Sequence, residues 1–312
     1  MADQKTAAYV FPGQGSQAAG MGKDLYDALD SVKTLFKQAD EATGFPISKL
    51  CFEGPDDELK KTINAQPALV LVSAACLKAT QEIAGKALPP AEFLAGHSLG
   101  EYSALAAAGV FDFGTAIYLA RERGRLMYEA GLKEPGTMAA VLGLEEAVLA
   151  EICRQAGVAI ANINCPGQLA ISGPAANVAK ASEMAKAKGA ARVVPLQVSG
   201  AFHSPLMQAA VEGMEAVLSK VAFHDPHIPV IANVTGEPLR YGTQIKGELL
   251  KQLTSPVQWQ KSVEYMVSKG VKTFYEIGPG RVLAGLIKRI SRESETVNLS
   301  DLATIKNLRP SS

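Results

Sequence analysis

The feature of this sequence best suited to covalent chemistry is a serine framed by glycines, Gly96-His97-Ser98-Leu99-Gly100. Where a strand bends sharply into a helix, the serine at the bend is forced into a strained position with its hydroxyl exposed. Only glycines let the flanking backbone pass that closely. The helix that follows places a partial positive charge where the oxyanion of an acyl-transfer intermediate would form. A purely structural turn needs no such setting, whereas here Glu92 to Ala95 reads as a short strand and Leu99, Tyr102, Leu105 and Ala106 mark one face of a helix.

A serine nucleophile needs a base, and the chain offers only His97, His203, His224 and His227. His97 adjoins Ser98, and adjacent side chains on a sharp turn diverge, so its expected place is behind the elbow. His224 and His227 flank Pro226, which breaks helical geometry, and no third metal ligand is evident; they read as a solvated loop. His203 remains, in Ser199-Gly200-Ala201-Phe202-His203-Ser204-Pro205, a loop of the kind that carries function.

Other chemistries find less support. Gly13-Gln14-Gly15-Ser16-Gln17-Ala18 matches a dinucleotide-binding pattern, but that fingerprint needs a second strand with an acidic end about 20 residues on, and helix is expected there. A loop exposing backbone donors fits better. Cys51, Cys76, Cys153 and Cys165 have no CxxC spacing, so neither a zinc site nor a redox pair is expected.

The elements that must position Ser98 and His203 follow from the apolar pattern. Residues 7–11 read as a buried parallel strand closed by Pro12-Gly13, Asp24 to Ala42 as one helix, and Gln66 to Ile83 as a helix buried on most sides. From Thr137 the order becomes strand, helix, strand, strand, helix, strand, ending near Val198, which is the plan of a ferredoxin-like lobe. A helix at Leu206 to Val221, strands at Val230 to Ala232 and Thr273 to Ile277, and a final helix from Arg281 complete the pattern. The expected fold class is α/β: a large α/β-hydrolase-like domain (1–132 and 201–312) with a central, mostly parallel sheet, interrupted by a small ferredoxin-like lobe (133–200).

With 312 residues, 47% hydrophobic and 20% charged, the chain excludes a disordered protein and a disulfide-stapled miniature. Lys plus Arg and Asp plus Glu total 31 each, so no net field draws nucleic acid or an anionic membrane. The most apolar stretch, Ala65 to Leu77, falls short of the roughly 20 residues that span a bilayer. Residues 1–6 carry no apolar core of a secretory signal. The expectation is a cytoplasmic protein without nucleic-acid or membrane partners.

Six stretches in family order, FPGQGSQ (Phe11 to Gln17), GHSLGEYSAL (Gly96 to Leu105), RGRLM (Arg123 to Met127), AFHSPLM (Ala201 to Met207), PVQW (Pro256 to Trp259) and EIGPG (Glu276 to Gly280), closely resemble the malonyl-CoA:acyl carrier protein transacylase family of type II fatty acid synthesis. The resemblance implies ping-pong transfer of a malonyl group from malonyl-CoA to acyl carrier protein, with Ser98 as nucleophile and His203 as base. It further implies an oxyanion hole from the backbone N–H groups of Gln14 and Leu99, and a main-chain carbonyl, matched to Gln258, that orients His203. Arg123, which its charged neighbours Arg121, Glu122 and Arg125 would otherwise place on the surface, becomes a clamp for the malonyl carboxylate. Phe202 and Met127 become substrate-binding residues, Phe202 leaving little room for a 2-methyl branch. No metal or other cofactor is implied beyond the pantetheine of the substrates, and a monomer is expected. A serine hydrolase or thioesterase, a trans-acting polyketide acyltransferase and a non-catalytic carrier-binding scaffold are the alternatives.

Overall fold

The computed structural model describes residues 6–308; Met1 to Lys5, on which most of the expectation about a secretory signal falls, lie outside the described residues. The strands are β1 (Thr6–Phe11), β2 (Ala91–Gly96), β3 (Thr137–Leu142), β4 (Ala159–Cys165), β5 (Gln168–Gly173), β6 (Arg192–Pro195), β7 (Val230–Ile231), β8 (Pro238–Leu239), β9 (Val271–Ile277) and β10 (Glu295–Leu299). They form a six-stranded sheet, β10-β9-β1-β2-β7-β8, and a four-stranded sheet, β4-β5-β3-β6. The larger sheet is parallel except for the edge pair β7–β8.

Strand β1 lies at the middle of the larger sheet with helices on both faces, which is why its sequence is a continuous apolar run. Ala7 and Phe11 face the cluster around Leu69, Leu71 and Tyr102, while Ala8 and Val10, of opposite parity, face Trp259, Val263 and Ile287. The helix Thr62–Ile83 passes through the first of these layers. Its 22 residues are long and apolar enough to cross a bilayer, more than the shorter apolar run suggested, but 89% of its apolar window is buried inside this protein. Pro67 lacks an N–H, leaving the Ile63 carbonyl without its helical donor, and Arg121 Nη1 fills that role at 2.9 Å.

The smaller sheet is antiparallel throughout. Two helices, Glu146–Ala156 and Ala175–Ala187, cover one face through Leu149, Ile152, Val178 and Ala181, and Met138, Ala161 and Ala170 on the other face join the main core. Strand β4 is tied to the larger layer where Val257 donates its N–H to the Ala161 carbonyl and accepts from the Ile163 N–H, both at 2.9 Å.

Two expectations need correction. The single helix expected over Asp24 to Ala42 is two, Lys23–Ala28 and Asp30–Thr43, because Leu29 is extended (φ −132°, ψ 122°) and Asp30 opens a new first turn, where its charge suits the helix N-terminus. The chain also continues past the helix Val282–Ile290 into β10 and a short helix, Leu302–Lys306. Three of the five β10 side chains are only half-buried, so the strand lacks the apolar run that marked β1.

Candidate active site

Strand β2 ends at Gly96, and four residues later the helix Gly100–Ala107 begins. A side chain at Gly96 would meet the Gly100 backbone at 1.9 Å, and one at Gly100 would meet the Phe11 carbonyl oxygen at 2.2 Å, so neither position admits a Cβ. The bend leaves Ser98 at φ 51°. Among the described residues the only other non-glycine with positive φ is His203, at 57°. Two strained residues, 105 positions apart, meet: Ser98 Oγ lies 2.8 Å from His203 Nε2.

The other ring nitrogen, Nδ1, lies 2.8 Å from the main-chain oxygen of Gln252. A carbonyl can only accept, so Nδ1 carries the proton and Nε2 is left to receive one from serine. This corrects the assignment of that carbonyl to Gln258. The Gln258 carbonyl instead accepts from the Ser262 N–H (3.0 Å) and Oγ (3.1 Å), at the start of the helix Trp259–Ser268.

Asn233, which no sequence motif marks, fixes the elbow. Its Oδ1 accepts from the Ser98 N–H at 2.6 Å and its Nδ2 donates to the Gly96 carbonyl at 2.7 Å. The Ser98 N–H is thereby occupied. Among the described residues, the N–H groups of Gln14 and Leu99 have no intramolecular acceptor, and both residues line the same cavity as Ser98. The Gly13–Gly15 loop is held from its side chain, Gln14 Nε2 donating to Thr62 Oγ1 at 3.0 Å.

Arg123 is not on the surface. The helix Phe113–Lys133 turns it and Met127, one turn apart, inward, while Arg125 pairs with both Glu122 and Glu129 outside. Only 2% of Arg123 is exposed. Its Nη1 donates to Gln66 Oε1 (2.8 Å), and its Nη2 donates to Gln252 Oε1 (2.8 Å) and to Ser98 Oγ (3.1 Å). Its partners are neutral amides and a hydroxyl, so no direct ion pair cancels the guanidinium charge. The carboxyl of Glu101, nearby and buried, has its pKa pushed well up by that burial and by Glu248.

A cavity of about 420 Å³ brings together Gln14, Ser98, Leu99, Arg123, Met127, Phe202 and His203; Gln258 does not line it. Burial, reinforced by Arg123, lowers the His203 pKa to about 3. The histidine is therefore neutral, as a proton acceptor must be. His97, expected behind the elbow, also lines this cavity, but its ring is engaged elsewhere, with Nε2 2.8 Å from Asn164 Oδ1 and its face near Trp259. Neither His224 nor His227 lines the cavity, and among the described residues no cluster of His, Cys, Asp and Glu could hold a metal.

The depressed His203 pKa has a measurable consequence. In the unfolded chain His203 takes up a proton below about pH 6.5, whereas in the native protein it does so only near pH 3. Its contribution to stability is complete above pH 6.5 and is lost as the pH falls toward 3. Urea denaturation at pH 7.5 and 5 should show the loss, and His203→Gln should flatten that pH dependence. An equal slope in the variant would contradict the assignment.

Residues 8–310 match the family model of the acyl transferase domain. The malonyl CoA-acyl carrier protein transacylase of Bacillus subtilis (strain 168) is 46% identical over 304 residues, covering 96% of this chain and 95% of that protein. The crystal structure of an acyl carrier protein S-malonyltransferase from Vibrio cholerae superposes with a TM-score of 0.93 at 41% identity, covering 97% of this chain and all of that one. A malonyl-transacylase solved in complex with its type II polyketide acyl-carrier protein superposes at 0.91 with 40% identity, covering 96% and 97%. With the match spanning both sheets and every residue around the cavity, the chain belongs to the acyl transferase domain family, among its malonyl-CoA:acyl carrier protein transacylases.

Proposed function

We propose that this protein transfers the malonyl group of malonyl-CoA to the phosphopantetheine thiol of acyl carrier protein through a malonyl ester of Ser98, supplying the extender unit for fatty acid synthesis. The observation that carries the reading is the convergence, in one cavity, of a serine–histidine pair and a buried arginine with no carboxylate bonded to it.

In the first half-reaction Ser98 Oγ attacks the thioester carbonyl as its proton passes to His203 Nε2. The negative charge that develops on the carbonyl oxygen is received by the N–H groups of Gln14 and Leu99, a pair of donors fixed before the reaction begins. Collapse breaks the C–S bond, and the departing thiolate takes the proton from His203, leaving as free coenzyme A. In the second half the carrier thiol gives its proton to His203 and its sulfur attacks the ester carbonyl. Collapse then breaks the bond to Ser98 Oγ, which recovers the proton. The Gln252 carbonyl holds the imidazole tautomer throughout, and as a neutral acceptor it stabilises the imidazolium less than a carboxylate would. Burial is the larger cause of the low His203 pKa, and the malonyl carboxylate, paired with Arg123, offsets the second, the guanidinium charge.

Phe202 and Met127 shape the acyl end of the cavity, with Phe202 set against a 2-methyl branch. In this reading residues 1–132 and 201–312 form an α/β-hydrolase-like domain and residues 133–200 a ferredoxin-like lobe. The protein acts as a cytoplasmic monomer without metal or further cofactor. The deciding experiment follows the malonyl group: with malonyl-CoA and the pantetheinylated carrier present, malonyl-carrier should accumulate with the loss of malonyl-CoA. Release of free malonate at the same rate, with or without carrier, would establish a hydrolase instead.

A further inference from the structure

A carboxamide is chemically lopsided, with one end that only donates and another that only accepts. At Gln252 this matters: Oε1 accepts from Arg123 Nη2 at 2.8 Å, while Nε2 donates to the Ser98 carbonyl at 3.0 Å and to Glu101 Oε2. Were the amide turned over, an NH₂ group would face the guanidinium, which has only donors to offer, and Arg123 would lose the contact. The Ser98 carbonyl and the Glu101 carboxyl are the two acceptors that hold it the right way round.

Glu101 has no direct part in acyl transfer. It lies in the first turn of the elbow helix, is fully buried and does not line the cavity. Its second oxygen, Oε1, accepts from the Asn233 N–H at 3.0 Å, so both oxygens face donors, and these bonds, with the Arg123 charge, favour the carboxylate form against the burial that raises its pKa. A carboxyl group buried near another, Glu248, is a costly choice for a packing position, one that an apolar side chain of similar size would fill more cheaply.

Resting on the malonyl-transfer reading above, we propose that Glu101 is a positioning residue for acyl-group selectivity: by accepting from Gln252 Nε2 it fixes the carboxamide with Oε1 toward Arg123, and so holds the guanidinium ready for the malonyl carboxylate. Substitution by glutamine is isosteric but introduces a conflict. One end of the new amide must face the Asn233 N–H and the other the Gln252 NH₂, so an NH₂ meets a donor whichever way the new side chain turns. The conflict is relieved by turning Gln252 over, at the expense of Arg123.

The test is competitive loading of the full-length protein with equal concentrations of malonyl-CoA and acetyl-CoA, read by intact-protein mass spectrometry as the ratio of the two adducts. Both adducts come from one sample, so a smaller folded fraction cancels. Glu101→Gln should lower the malonyl-to-acetyl ratio by roughly 10- to 100-fold, the effect of a lost hydrogen bond to a charged group. The malonyl-CoA KM should rise while kcat on acetyl-CoA moves far less.

Glu101→Met removes an acceptor without adding a donor, and the Ser98 carbonyl still directs the amide, so its ratio should fall only about threefold. A packing role predicts the reverse order, because glutamine preserves the shape. Glu248→Gln retains an acceptor for the Val234 N–H, bound at 2.8 Å, and should load with the wild-type ratio. An unchanged ratio in Glu101→Gln, or a lower one in Glu101→Met than in Glu101→Gln, overturns the proposal. If Glu101→Gln yields no folded protein, a wild-type ratio in Glu101→Met overturns it. Absence of any malonyl adduct on the wild-type protein would overturn the transfer reading itself, so the wild-type control separates the two failures.

Discussion

Ser98→Ala is expected to carry no malonyl unit after mixing with malonyl-CoA, and to transfer malonyl to carrier protein more slowly by a factor on the order of 10⁶, as for other serine nucleophiles removed alone. The expectation is sharp because no neighbouring group can take over. The Ser199 hydroxyl is engaged with Thr62 Oγ1 at 3.0 Å, and that of Ser204 donates to the Ala201 carbonyl at 2.6 Å, so neither replaces Ser98 at His203 Nε2. All four cysteines are buried free thiols whose pKa burial raises, to about 11 for Cys153, so no thiolate competes. Removal of Oγ should also leave the scaffold intact, because the elbow is held by Asn233 through the Ser98 N–H and the Gly96 carbonyl, which alanine retains. Intact-protein mass spectrometry checks the adduct, and circular dichroism checks the fold. A malonyl mass persisting on folded Ser98→Ala would move the nucleophile elsewhere.

What the sequence made legible were the features that local rules govern. The apolar run of β1 follows from burial on both faces, and the glycines at 96 and 100 follow from close backbone approach, each readable without knowing what packs beside it. The groups that complete the site obey no local rule. Asn233 meets Ser98 across 135 residues, Gln66 meets Arg123 across 57, and Gln252 meets Arg123 across 129, all through uncharged side chains with no spacing signature. A main-chain carbonyl is still less legible, since every residue has one. The carbonyl implied by the resemblance, that of Gln258, lies six positions beyond the one that bonds His203 and is already used to start a helix. Arg123 sits between these extremes. Its charged neighbours suggested a surface, but its helical phase, one turn from Met127, places it inward; the family motif supplied what composition hid.

Arg123→Ala is expected to reverse acyl preference rather than merely weaken it. Two hydrogen bonds from a guanidinium to a carboxylate contribute about 3–4 kcal/mol in a site closed to water, so malonyl kcat/KM should fall by roughly 10²- to 10³-fold. Acetyl-CoA loses no such contact, because it has no carboxylate to pair, and it no longer displaces water from a cation. The substitution also acts on the serine–histidine pair itself. Arg123 Nη2 reaches Ser98 Oγ at 3.1 Å, and its charge is one cause of the low His203 pKa. Without it the histidine should titrate at higher pH, moving the acid limb of the acetyl-CoA loading rate upward, while burial, the larger cause, still keeps it below the usual value. The two effects separate experimentally: the malonyl-to-acetyl ratio at pH 7.5 reports the clamp, and the acid limb with acetyl-CoA alone reports the imidazole. An unchanged ratio would remove Arg123 from substrate recognition, and an unchanged limb would assign the low pKa to burial alone. Arg123→Lys sharpens the distinction, since an ammonium restores the charge acting on His203 but not the planar pair of donors, and should recover the pH profile more fully than the preference for malonyl.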